Sequence, residues 1–245
     1  MPPLAETSVP PALPAPPRFG LAPLLRGDVR TLRAWLTQRD LGRSAACLGV
    51  IVLGAGIYGA AIGCWRSPEQ ALFTAVKLPL ILLLTTLGNA LLNGLLAPLL
   101  GLHLGLRQST FAILLSHTLA AVILAAFAPL VFFAVWNLPP MAGAARGTGY
   151  ALIQLSQVAV IAFAGIVANF RLLQLLRHFA GSGAVAGRVL FAWLAGNLLL
   201  GTQLTWMLRP FFGTPSLPVE FLRDDALRGN FFEAIAYNVR FLFTD

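Results

Sequence analysis

Five long apolar runs, at about 45–65, 78–100, 111–136, 150–170 and 189–208, constrain this chain more than any other feature. Each is long enough to cross a hydrocarbon core, which takes roughly 20 helical residues. A segment exposed to lipid must satisfy its own backbone hydrogen bonds, so the runs are expected to be helices. Composition agrees with a membrane setting. Of 245 residues, 58% are hydrophobic and 11% charged, against roughly 25% charged in soluble domains. The expectation is an all-α integral membrane bundle of five transmembrane helices. A four-span arrangement, with one run re-entrant, is the structural alternative. The first run starts near residue 45, too late for a cleavable signal, and reads as an uncleaved anchor.

The flanks divide the rest. Residues 1–25 read as a disordered Pro-rich tail, with seven prolines between residues 2 and 17. Residues 26–44 read as a basic amphipathic helix on an anionic membrane surface. Asp28 is its cap, and Val29, Leu32, Trp35 and Leu36 share one face. The five-span domain covers 45–208. An outer-face tail follows over 209–245, with a short helix after Asn230 that lies at the interface or packs on the bundle. The formal charge of +8 reports orientation rather than nucleic-acid binding. With the N-terminus in the cytoplasm, the inner segments hold ten basic residues against three acids, as the positive-inside rule expects. The C-terminus then lies outside.

All nine acids fall outside the five runs. Ion-coupled transporters place a carboxylate at mid-membrane, so that class is disfavoured. Neutral polar residues do occur inside. Thr86, Asn89 and Asn93 line one face of the second run, Gln154 and Gln157 one face of the fourth, and Asn197 and Thr205 one face of the fifth. Gln203 and His117 complete the set. They serve either as interhelical hydrogen bonds or as the wall of a polar path. Ala55, Gly59 and Gly63 form a small-residue ridge for close helix packing. The loop 181–187 is glycine-rich, follows a helix and lacks a Walker lysine, so it reads as a flexible turn. No catalytic motif, cofactor site or metal-ligand set is found.

Lys77 is the only lysine. Ser67-Pro-Glu69 looks like a capped helix start, and a helix begun there reaches Lys77 before a kink at Pro79. Lys77 thus marks the outer boundary of the second span, level with Arg209 at the end of the fifth. Together with Glu69, Asp224 and Asp225 these two form a candidate outer-face polar site. It is closed by the acidic tail or occupied by a lipid phosphate, unless both cations merely snorkel.

The segments Tyr58-Gly-Ala-Ala-Ile-Gly63, Ala75-Val-Lys-Leu-Pro79, Gly201-Thr-Gln-Leu-Thr-Trp-Met-Leu-Arg-Pro-Phe-Phe-Gly-Thr-Pro215 and Gly229-Asn-Phe-Phe232 occur in this order. Together they resemble a family of bacterial polytopic membrane proteins of unestablished function, over residues 50–240. The Trp-x-Leu-Arg-Pro-Phe segment is the most specific part. The resemblance implies that Lys77, Arg209 and Asn230 belong to one architecture, and it implies no activity. In topology alone the chain is similar to the five-span Yip family. The function expected is non-enzymatic: a scaffold or subunit in a bacterial inner membrane. Its partners would be the lipid bilayer, anionic headgroups, other proteins or a second copy. The alternative is a small-solute or lipid permease using the polar helix faces.

Overall fold

A computed structural model of the protein describes residues 19–102, 104–138, 148–213 and 218–244. The architecture is all-α. Residues 1–18 of the expected Pro-rich tail lie outside the described residues, as do 214–217 and 245 of the outer-face tail. The end of the tail is not disordered, because Leu21–Arg26 form a short helix, α1. Gly27 closes it at φ 68°, a left-handed conformation that only glycine adopts without strain.

The basic amphipathic helix expected over 26–44 is two separate elements. α2 spans Val29–Thr37, and Asp28 caps it by accepting from the Arg30 and Thr31 amides. Its hydroxyl bond from Thr31 at 2.7 Å holds the Asp28 carboxyl below its usual range. The chain then breaks, and Asp40 caps α3, Leu41–Gly63. The apolar face of α2 does not rest on lipid. Leu32, Trp35 and Leu36 are buried, with α5 (Leu106–Trp136) and α6 (Thr148–Leu176) among the neighbours of α2.

Five helices are long and apolar enough to cross a membrane. They are α3, then α4 (Pro68–Leu99), α5 (Leu106–Trp136), α6 (Thr148–Leu176) and α7 (Gly183–Met207). α8, Phe231–Thr244, follows. Its cap is reciprocal, with the Glu233 amide donating to Asn230 Oδ1 at 3.0 Å and Asn230 Nδ2 to the Glu233 carboxylate at 2.6 Å. α8 packs on α6 and α7. The glycine-rich loop is shorter than the sequence suggests. Ser182 accepts from the Val185 amide, and Gly183 to Gly187 are already helical.

α3 sits between α4 and α5, α7 packs on α4, and α6 bridges α5 and α7. Glycine makes the α3 contacts possible. A Cβ on Gly54 would stand 2.6 Å from the Ala121 carbonyl oxygen of α5, and one on Gly63 would stand 2.5 Å from the Gln70 carbonyl oxygen of α4. One on Gly59 would strike the Thr74 carbonyl. Ala55, fully buried, continues the same ridge. The expected helix-packing role is therefore seen at Gly59 and Gly63, against the first turns of α4.

α4 joins the expected capped start at Ser67 to the second apolar run. It is one continuous helix of 32 residues running through Pro79 and Pro98, about 48 Å long. The Ser67 cap is as expected, accepting from the Gln70 amide at 3.1 Å. Lys77 lies inside this helix, as a start at Ser67 implies.

Candidate functional site

The candidate polar site is built from a row of side chains on α4 and the chain that leaves α7. Gln70, Thr74 and Lys77, at i, i+4 and i+7, share one helix face. All three are fully buried. After Met207 the chain turns back toward this row, with a cis bond between Arg209 and Pro210. Gln70 Nε2 donates to the carbonyls of Pro210 and Phe211, each at 3.0 Å. Thr74 Oγ1 has one hydrogen for two carbonyls, Gln70 O at 2.8 Å and Phe211 O at 2.5 Å. Lys77 Nζ donates to Pro210 O at 2.8 Å. Phe212 inserts beside Trp65 and Tyr150, at ring-centroid distances of 6.0 and 5.1 Å. A buried loop backbone needs hydrogen-bond partners, and α4 supplies them.

Arg209 works on the other side of the same turn. Its guanidinium donates to the carbonyls of Trp206 and Ala226 at 3.0 Å, Asp225 at 2.7 Å and Arg228 at 3.3 Å. It lies over the Trp206 ring, 4.0 Å from the centroid. Trp206 Nε1 itself donates to Arg228 O at 2.7 Å. Arg209 thereby ties residues 225–228 to the end of α7.

The sequence-derived site comes together in part. Asp225 pairs with Arg209 at 3.2 Å. Glu69 and Asp224 are exposed and form no ion pair with Lys77 or Arg209 among the described residues. Lys77 is not a snorkelling cation, because its charge is enclosed. Its neighbours are the Pro210 carbonyl and the ring of Phe221, 5.0 Å from Nζ to the centroid. Sequence reasoning missed Gln70 and Thr74, although their spacing to Lys77 was legible. It also missed Phe212, which is buried.

The intramembrane polar residues meet in pairs. Asn89 Nδ2 donates to Asn197 Oδ1, joining α4 to α7, and Asn93 reaches Asn89 at 3.4 Å. Thr86 Oγ1 lies 2.9 Å from His117 Nδ1, joining α4 to α5. The Tyr58 hydroxyl donates to Gln157 Oε1, joining α3 to α6. Gln154 is half-buried one turn earlier on α6, and Gln203 is exposed on α7.

Comparison with protein families, with curated proteins and with solved structures gives no match for this chain. The functional reading therefore rests on the chain's own geometry.

Proposed function

We propose that this chain is a non-enzymatic scaffold or subunit of a bacterial inner membrane, binding partner proteins or lipids, with its N-terminus inside and its C-terminus outside. One observation carries the reading. The polar side chains within the spans are used helix to helix, in Asn89–Asn197, Thr86–His117 and Tyr58–Gln157. Such bonds fix the helices against one another, each worth roughly 0.6–1.7 kcal/mol in a membrane. A permease would need these groups free to face a solute.

The test combines stability with transport. Asn89→Leu leaves Asn197 unpaired and is expected to lower stability by about 1 kcal/mol. The double variant Asn89→Leu/Asn197→Leu recovers part of that loss. Proteoliposomes of the wild type should show no solute flux or lipid flipping above empty vesicles. Flux that disappears in Gln157→Leu would establish the permease instead. Orientation is read separately, by placing a cysteine at exposed position 228 after removing Cys47 and Cys64. Labelling from the outside is expected, and reactivity confined to the cytoplasmic side would reverse the topology.

A further inference from the structure

One amide within the spans is left out of the helix-to-helix pairing. Gln203 of α7 is exposed and has no hydrogen-bond partner among the described residues. Its neighbours differ. Thr202 and Thr205 return their hydroxyls to their own helix, at Leu198 O and Gly201 O. Exposed Ser156 of α6 does the same at Leu152 O. Glutamine carries two N–H donors and a carbonyl acceptor, and a bilayer core offers no water to meet them.

Depth decides what can meet this amide. Arg188 and Arg209 bracket the apolar part of α7, about 31 Å apart at 1.5 Å per residue. That is close to the roughly 30 Å of a hydrocarbon core. Gln203 then lies about 9 Å inside the Arg209 end. Helix side chains lean toward the helix N-terminus, here the Arg188 end, so Gln203 is turned away from the nearer headgroups. Snorkelling would run against that lean. The amide stays in hydrocarbon unless a second helix covers it.

The helix face around it is bare. Only 17% of the apolar stretch of α7 is buried, against 28% or more in the other four spans. Ala195, Leu199 and Gln203, at i, i+4 and i+8, form one exposed row, the kind of ridge by which two helices interdigitate. Two copies inserted in the same direction are related by an axis along the membrane normal, which brings equal depths together. A carboxamide is donor and acceptor at once, so Gln203 can bond reciprocally with its own copy. A partner of other sequence would need a polar group at that same depth, and the second copy already has one.

We infer that α7 pairs with α7 of a second copy through Gln203, giving a two-fold dimer. The inference deepens the scaffold reading and rests on its use of span amides between helices. Flux in proteoliposomes would end that reading with the dimer still measurable. A monomer would end the inference without producing flux.

Self-association of the full-length protein is read by energy transfer between copies labelled at the N-terminus, in phosphatidylcholine vesicles over a range of protein-to-lipid ratios. Wild type is expected to dimerise, and Gln203→Leu should weaken the dimer about tenfold, the worth of two interhelical bonds. The substitution removes no bond within the chain, so its melting temperature should stay at or above that of wild type. In a background lacking Cys47 and Cys64, Leu199→Cys should cross-link the dimer on oxidation. Leu53→Cys, on the exposed face of α3, should not. A wild type that stays monomeric at every ratio would overturn the proposal. A dimer that Gln203→Leu leaves intact would do the same, as would one cross-linked through position 53 instead of 199.

Discussion

Gly59→Leu is expected to destabilise the bundle by about 3 kcal/mol or more. The added Cβ would meet the Thr74 carbonyl and lie 3.2 Å from Ala75 Cα. Both belong to the backbone of α4, which cannot rotate aside as a side chain can. Overpacking a close-packed seam costs about 1–3 kcal/mol even for small additions, and leucine adds a whole side chain. Helix propensity acts the other way, since glycine is roughly 1 kcal/mol poorer than the best helix formers. Any loss therefore reports the contact. The control is Gly49→Leu on the same helix, where a Cβ meets nothing within 4 Å. Thermal unfolding in detergent should show Gly59→Leu melting far below wild type, with Gly49→Leu unchanged or slightly raised. Equal melting of the two variants would remove the close α3–α4 approach from the account. Thr74 also bonds the Phe211 carbonyl, so opening this seam should loosen the returning chain as well.

Arg209→Gln is expected to release the tail while leaving the spans folded. The guanidinium serves four carbonyls and the Trp206 ring, with its side chain 15% exposed. Its ion pair contributes little, because Asp225 is 53% exposed and such pairs are worth about 0–1 kcal/mol. The carbonyl bonds matter more. Hydrogen bonds to a charged group are worth about 1.5–3 kcal/mol each when enclosed, and partial exposure cuts the four together to about 2–3 kcal/mol. Local opening of residues 222–230 should rise by tens-fold. Trypsin reads it directly, through cleavage after Arg223 and Arg228. Arg209→Lys should rescue little, since a single ammonium cannot reproduce the guanidinium fork. If Arg209→Gln is cut no faster than wild type, Arg209 does not hold the tail.

The two substitutions separate what was legible in the chain from what was not. The glycine ridge could be read because a repeat of small residues at helical spacing has one physical use, close backbone approach. The caps at Asp28, Ser67 and Asn230 could be read because side-chain acceptors at helix starts satisfy local amides, a matter of neighbours in sequence. Lys77 was placed at a boundary because an apolar run seemed able to cross without it. The capped start at Ser67 was legible too, and α4 carries Lys77 as its tenth residue. Burial of its cation is made possible by a carbonyl 133 residues away. Every residue carries a carbonyl, so no sequence pattern distinguishes Pro210 O or Phe211 O as acceptors.

Local pattern thus determined the helical class, the five apolar spans and most helix starts, because burial period and capping depend on residues a few positions apart. Tertiary structure alone decided which partners meet. It placed α2 on α5 and α6 instead of on lipid. It paired Asn89 with Asn197 and Tyr58 with Gln157, and it turned the chain after α7 back onto Gln70, Thr74 and Lys77. A helix face shows that a polar group must be satisfied inside the membrane. Which group satisfies it depends on how distant helices pack, and that packing is set by the summed fit of all five.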